Sequence, residues 1–212
     1  MQVFGIPLSP FVRKVHCAAA EKGIAIEMVP ANPRDPSPAF LAASPFRKIP
    51  ALVDGDFQLA DSTAIVTYFE AIVPQPALLP AEARQRARAI WFEEFADTVL
   101  VPSGAKIVFN RFVAPRIVGR PGNEEAALEG ERELPRFLDW LEGEVPDAGW
   151  LAGEHFSVGD IAVASVLRTL AYVDWGPDAA RYPRTAAWYD RVAARPAWQQ
   201  VAALEAEVVA RL

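Results

Sequence analysis

The sequence predicts an α/β domain followed by an all-helical domain, and three observations carry the prediction. Over residues 1–73 the apolar spacing switches between the two-residue repeat of strands and the 3.6-residue repeat of helices. Three prolines then fall within the stretch Pro74-Gln75-Pro76-Ala77-Leu78-Leu79-Pro80. Every periodic segment beyond that stretch has helical spacing.

Gln2 to Ile6 reads as a strand. Pro10 to Lys22 reads as a helix, with Val12, Val15 and Ala19 on one face and Gly23 as its stop. Ile24, Ile26 and Met28 alternate with Ala25, Glu27 and Val29, as a second strand does. The next twenty residues read as a loop region. Ala51 to Leu59 reads as a hairpin around Asp54-Gly55. Ser62 to Val73 is helical, through Ile65, Val66, Phe69, Ile72 and Val73. A strand–helix–strand unit favours a parallel pair with a right-handed crossover, and the hairpin adds antiparallel strands. A small mixed sheet flanked by helices is the result.

The three prolines are stiff and place a domain boundary between 1–76 and 82–212. Ala81 to about Pro115 reads as one long helix that Pro102 kinks or splits. Asn123 to Val145 follows, with Leu134, Phe137, Leu138 and Leu141 inward and Pro135 working against it. Further helices are expected over Ser157 to Trp175, Pro183 to Arg195, and Trp198 to the end. Ser157 caps its helix, with Asp160 placed to answer the cap residue's N–H and Phe156 to meet Ile161 as a hydrophobic staple.

Composition excludes several classes of function. The 212 residues are 52% hydrophobic, 23% charged and carry a net charge of −6, with a pI near 5.1. Basic runs are absent, so neither a nucleic-acid backbone nor an anionic membrane surface is an expected partner. Arg and Asp punctuate every apolar run, so no membrane span is expected, and the N-terminus lacks a signal-peptide pattern. Cys17 is the single cysteine, which rules out a disulfide within the chain and makes a reducing, cytoplasmic compartment the simplest home. His16 and His155 are the only histidines, so no metal site is expected.

Four stretches together resemble the cytosolic glutathione transferase superfamily. They are Ser9-Pro10-Phe11-Val12-Arg13-Lys14-Val15, Lys48-Ile49-Pro50-Ala51-Leu52, Asp61-Ser62-Thr63-Ala64-Ile65 and the Ser157-to-Asp160 box. The resemblance is to the serine-type, bacterial-like members. It implies a thioredoxin-like N-terminal domain of order β-α-β-α-β-β-α over 1–76, which binds glutathione. It also implies an all-α helical bundle over 82–212 that contributes the electrophile site, and a homodimer in the cytoplasm. The activity implied is conjugation of the glutathione thiolate to a small apolar electrophile, in the service of detoxification, with glutathione as co-substrate and no metal. The alternatives are a glutathione-dependent isomerase, dehalogenase or peroxidase, or a non-catalytic carrier on the same fold.

The resemblance also assigns residues. Ser9 would donate its hydroxyl to the sulfur; its bland alternative is a plain helix cap ahead of Pro10. Family members use Tyr, Ser or Cys near this point; Tyr68 comes too late and Cys17 lies two turns into the helix. With Ser9 and Val12 where a CxxC would lie, the chain cannot cycle as a dithiol. Ile49 would bind the cysteinyl part of glutathione through its main chain, ahead of a cis Pro50. Lys48 would pair with the glycine carboxylate, or else is an ordinary exposed lysine. Ser62, at a helix N-terminus, would hold the γ-glutamyl carboxylate, and Asp61 would face the γ-glutamyl ammonium. Both also read as simple cap residues. Phe11 is the first candidate for the electrophile pocket and Arg111 the second, with Trp91, Phe92, Phe95, Phe109 and Phe112 behind them. Arg13 and Lys14 read as solvated helix residues.

Overall fold

The computed structural model describes all of residues 1–212. The chain divides into two compact units. The first holds Met1–Leu78 together with Pro196–Val209, and the second holds Leu79–Arg195 with the last three residues.

The first unit is built on β1 (Gln2–Gly5), α1 (Pro10–Glu21), β2 (Glu27–Pro30), α2 (Pro38–Ala43), β3 (Ala51–Asp54), β4 (Phe57–Ala60) and α3 (Ser62–Ile72). The sheet order is β2-β1-β3-β4, with β1 parallel to β2 and the other pairs antiparallel. Alternation sends Val3 and Leu52 to one face, and Phe4 and Ala51 to the other. Phe4 meets Phe40 of α2 at 6.1 Å between ring centres, in a cluster with Ala31, Ala43 and Ala51. Fully burying Phe40 contributes about 2–3 kcal/mol. Helices α1 and α3 pack on each other through buried Val12, Val15, Ile65, Val66 and Phe69.

Three local outcomes differ from the sequence expectation. Strand β2 starts at Glu27, not Ile24, because α1 ends in a Schellman motif that takes Ile24 with it. There Gly23 (φ 66°) donates to Ala20 O and Ile24 donates to Ala19 O. Only from Glu27, opposite Gln2, does a partner strand exist. Where the spacing reads only a loop, the structure has α2, the helix that the resemblance implies, opened by Ser37, whose hydroxyl accepts Phe40 N–H at 3.2 Å, with Pro38 behind it. Arg13 and Lys14 are not solvated; both are buried in α1.

The last helix, α9 (Pro196–Val209), packs on α1 and so belongs to the first unit. The Arg13 guanidinium meets the Glu205 carboxylate there, both shut off from water. Lys22 fixes the outgoing chain: its ammonium pairs with Glu70 at 2.6 Å and donates to Val73 O and Pro76 O, both at 2.8 Å.

The second unit is all-helical: α4 (Ala83–Glu94), α5 (Val101–Val108), α6 (Glu124–Glu144), α7 (Val158–Leu170) and α8 (Pro183–Ala193). Pro102 does not split the long helix. A π-helical stretch, Phe95–Leu100, leads α4 into α5, and a second, Phe109–Val118, follows α5 and carries Pro115. The wider turn shifts the bonding pattern where a proline has no N–H to give. Helix α6 runs unbroken through Pro135. It lies close against α5 at Gly130, where a Cβ would come within 2.5 Å of Ser103 O. Helix α7 ends at Leu170, followed by a 3-10 turn over Ala171–Val173, so the expected span to Trp175 is shortened. No helix is long and apolar enough to cross a membrane.

Candidate functional site

A cavity of about 930 Å3 opens in the first unit, where α1, the segment after α2, strand β4 and the start of α3 come together. Its walls include Phe11, Lys48, Ile49, Asp61 and Ser62, five residues that the sequence singled out. Ser44, Phe46, Gln58 and Leu59 also line it.

Ser9 does not itself line the cavity; it stands two residues before Phe11, at the N-terminus of α1. Its backbone is extended (φ −72°, ψ 131°), its carbonyl accepts Arg13 N–H at 2.9 Å, and Pro10 follows as the first helical residue. All of this is cap geometry, except that the hydroxyl makes no capping bond. The side chains of Ser37, Asp61, Glu82 and Asn123 each accept an N–H of the helix they start. The Ser9 hydroxyl is therefore half-buried and uncommitted, beside the Phe11 and Val12 N–H groups that no carbonyl of the helix can reach.

At the start of α3, Asp61 takes a positive φ of 91°, a strained conformation for a residue with a Cβ. One carboxylate oxygen, Oδ1, accepts Thr63 N–H at 2.9 Å and Ala64 N–H at 3.0 Å. That leaves Oδ2 and the residue's negative charge available at the cavity wall. Ser62 is buried in the first position of α3, where the helix dipole and free N–H groups favour an anion.

The segment before β3 is held by Ser44. Its hydroxyl donates to Lys48 O at 2.7 Å and accepts Lys48 N–H at 2.9 Å. This pins the backbone of Lys48 while leaving its exposed ammonium free to point at a ligand. The Ile49–Pro50 peptide is cis, as the resemblance implies. Pro50 is buried and does not line the cavity, whereas Ile49 does.

The second-unit candidates behave differently. Arg111 is clasped by two carboxylates of α6, Glu124 at 2.5 Å and Glu131 at 2.5 Å. These bonds raise the guanidinium's affinity for its proton and occupy the fork that would otherwise grip a ligand. Phe92, Phe95 and Phe112 are core residues, the first two packed with Trp140 at 5.9 and 4.6 Å between ring centres. Trp91 is half exposed. Cys17 is wholly buried, and burial pushes its thiol far above the ordinary range, so it is no nucleophile. No three His, Cys, Asp or Glu side chains come together to hold a metal.

Sequence reasoning missed Ser44, Phe46, Gln58 and Leu59. Hairpin register decides the last two: Leu59 lies opposite Leu52 and Gln58 opposite Val53, and neither pairing is written in a local pattern.

Comparison with known proteins bears on the chain as a whole. The family model for the glutathione S-transferase N-terminal domain matches residues 3–77, and that for the C-terminal domain matches residues 99–196. Glutathione S-transferase 3 of Zea mays is 35% identical over 211 residues, which covers 96% of this chain and 93% of that protein. Glutathione S-transferase 4 of Zea mays is 31% identical and covers 95% and 92%. A glutathione S-transferase structure from Rhodospirillum rubrum superposes with a TM-score of 0.86 at 26% identity, over 94% of this chain and 90% of that one. The structure of glutathione S-transferase III in its apo form superposes with a TM-score of 0.80 at 32% identity, over 95% of each chain. A four-stranded mixed-sheet unit carrying the cavity, the helical unit and this near-full-length likeness lead to one conclusion: the chain belongs to the cytosolic glutathione S-transferase family.

Proposed function

We propose that this glutathione transferase binds glutathione in the first-unit cavity and activates its thiol with Ser9, delivering the sulfur to a small apolar electrophile. The observation that carries the reading is the uncommitted Ser9 hydroxyl at a helix N-terminus, next to a cavity lined by Phe11, Lys48, Ile49, Asp61 and Ser62.

The chemical obstacle is protonation. A free thiol has a pKa of about 8.5, so only a few per cent is thiolate at neutral pH. Lowering it by about two units takes roughly 2.7 kcal/mol of preference for the anion. A hydroxyl donating to a charged sulfur contributes about 1.5–3 kcal/mol, and the N-terminus of α1 adds a fraction more. The thiolate then attacks the electrophile, forming a carbon–sulfur bond as the leaving group departs or as the adjacent carbon takes up a proton. Ser9 keeps its own proton throughout and serves as a donor, not a base.

Binding energy comes from charge placed around the tripeptide. Lys48 meets the glycine carboxylate, Ile49 bonds the cysteinyl backbone, Ser62 and the N-terminus of α3 hold the γ-glutamyl carboxylate, and Asp61 Oδ2 faces the γ-glutamyl ammonium. Phe11 supplies the apolar wall nearest the sulfur. Arg111, held by Glu124 and Glu131, braces α6 and takes no part in this scheme. The first unit thus serves as the glutathione-binding domain. The likeness to glutathione S-transferases supports a homodimer. The lone buried Cys17 supports a reducing, cytoplasmic setting, and the likeness to glutathione S-transferases supports a detoxifying role there.

The direct test is retention on immobilised glutathione followed by conjugation of a generic aromatic electrophile, in the wild type and in Ser9→Ala. Turnover that depends on Ser9 supports the scheme. Retention without turnover makes the protein a carrier. Sedimentation at micromolar concentration checks the dimer.

A further inference from the structure

We propose that Glu205, near the C-terminal end of the chain, is a positioning residue for the thiol site: it cancels the charge of Arg13 one helical turn behind Ser9. The inference rests on the Ser9 scheme above, in that it takes the sulfur to lie at the mouth of α1.

Arg13 is the residue whose N–H closes the first turn of α1 on the Ser9 carbonyl, at 2.9 Å. Residues four apart on a helix share a face, with Cβ atoms about 6 Å from each other. The guanidinium of Arg13 is 1% exposed and its partner carboxylate 0%. They stand 192 residues apart in sequence and meet because α9 lies on α1. Packing alone does not require ions here. Two apolar side chains would fill the same space without the desolvation penalty that a buried ion pair carries. What the ions add is a field, and a guanidinium at this depth beneath a thiolate site would be a strong attractant if left alone.

The same helix already shows how a thiol senses the two charges. Cys17 sits four residues beyond Arg13; burial raises its pKa, Arg13 lowers it and Glu205 raises it. The two charges thus act in opposition on a sulfur one turn away on the C-terminal side. In the Ser9 scheme the bound sulfur sits at the mouth of α1, on the N-terminal side. The other charged or titratable groups of these elements are Lys14, His16 and Glu21 on α1 and Glu207 on α9. On α3, the Thr63 hydroxyl accepts from the Lys14 ammonium at 3.4 Å. Lys14 is the second buried cation of that turn, so the site keeps one neighbouring positive charge when Arg13 is cancelled.

The test follows the ultraviolet difference absorbance of the thiolate of bound glutathione against pH, alongside thermal unfolding. Glu205→Gln removes the carboxylate's charge from beside Arg13 and is expected to lower the bound thiol's pKa by about one unit, the size of a single charge on the order of 10 Å away at an effective dielectric of about 20. Arg13→Met removes the positive charge and is expected to raise it. The double variant Arg13→Met with Glu205→Met returns the thiol to its wild-type value. Both single variants melt earlier than wild type and the double variant recovers. Shifts of the same sign in the two single variants overturn the proposal. So does an unmoved thiol in variants that melt early, which would leave the pair as a brace only. Should a single variant fail to fold, Glu205→Asp, which withdraws the carboxylate by one methylene, is expected to show the same downward shift in smaller size. No thiolate signal from the wild type at saturating glutathione would instead defeat the Ser9 scheme itself.

Discussion

Of the serines that open helices in this protein, Ser157 and Ser9 are opposites. Ser157 starts α7 wholly buried: its N–H and its hydroxyl both donate to Asp160 Oδ2, at 3.0 and 2.9 Å. The other oxygen of Asp160 accepts Leu151 N–H and Trp188 Nε1–H, each at 2.9 Å. Ser9 starts α1 with the same extended cap geometry and no side-chain bond at all. One hydroxyl is consumed by structure and the other is left available at a helix mouth. Buried polar groups in a folded chain are generally paired, as Ser157 is. The half-buried Ser9 hydroxyl has no partner in the fold and is left for solvent or a ligand.

The contrast breaks most violently at the Ser157–Asp160 pair. Asp160→Ala orphans four donors, and the cost should be roughly 3–5 kcal/mol of stability. Urea unfolding followed through tryptophan fluorescence reads it. A loss under 1 kcal/mol would mean the four bonds are not jointly held. Next in size is His16, a third kind of polar group: its Nε2 is buried with no partner, and burial holds its pKa down at about 4. A histidine whose folded pKa is depressed binds fewer protons folded than unfolded. Its contribution is complete above pH 6.5 and is lost as pH falls toward 4, by about 3 kcal/mol. Replacing it in His16→Leu should shrink the stability difference between pH 7 and pH 4 by that amount. An unchanged difference would place the acid sensitivity elsewhere.

How much of this was legible in the sequence depends on how local the cause is. The order of β1, α1, β3, β4 and α3 follows from spacing within each segment, so it could be read. Helix α2 is six residues long, too short for a period to show, though Ser37-Pro38 was its signal. Pro102 pointed to a break that the π-helical turn before it absorbs. Arg13 and Lys14 looked solvated because charged residues usually are; Arg13's partner is on α9, and nothing near Arg13 in sequence announces it. Within the site, Ser9, Lys48, Ile49, Asp61 and Ser62 stand in recognisable motifs. Gln58 and Phe46 become wall residues only through hairpin register and loop path. That the Ser9 hydroxyl is uncommitted is also a property of the fold: Ser-Pro at a helix start predicts a capping bond, and the bond is absent.

Ser9→Ala tests the available hydroxyl. Because no cap bond is lost, stability should change by less than about 0.5 kcal/mol, against about 1 kcal/mol for a bonded cap serine. Activity should suffer more. Losing a donor to the thiolate costs about 2 kcal/mol, so kcat/KM at neutral pH should fall about 30-fold and the rising limb of its pH profile should move up by about 1.5 units. A stability loss with an unmoved profile would make Ser9 another Ser157.

The smallest expected effect sharpens the comparison furthest, because Asp61 does both jobs at once. Its Oδ1 caps α3 as Asp160 serves α7, while Asp61 lines the cavity and keeps a charge available there, as Ser9 keeps a hydroxyl available at the mouth of α1. Asparagine keeps an Oδ1 for the cap and is the side chain best suited, after glycine, to a positive φ. Asp61→Asn should therefore leave stability within about 0.5 kcal/mol and remove only the charge. If that charge meets the γ-glutamyl ammonium, KM for glutathione should rise about tenfold, or about 1.4 kcal/mol, with kcat unchanged, as expected for binding shared by ground and transition states. A fall in stability with KM unmoved would assign Asp61 to the cap alone. The ammonium of glutathione would then need another acceptor on the cavity wall, where Gln58 offers a neutral amide oxygen.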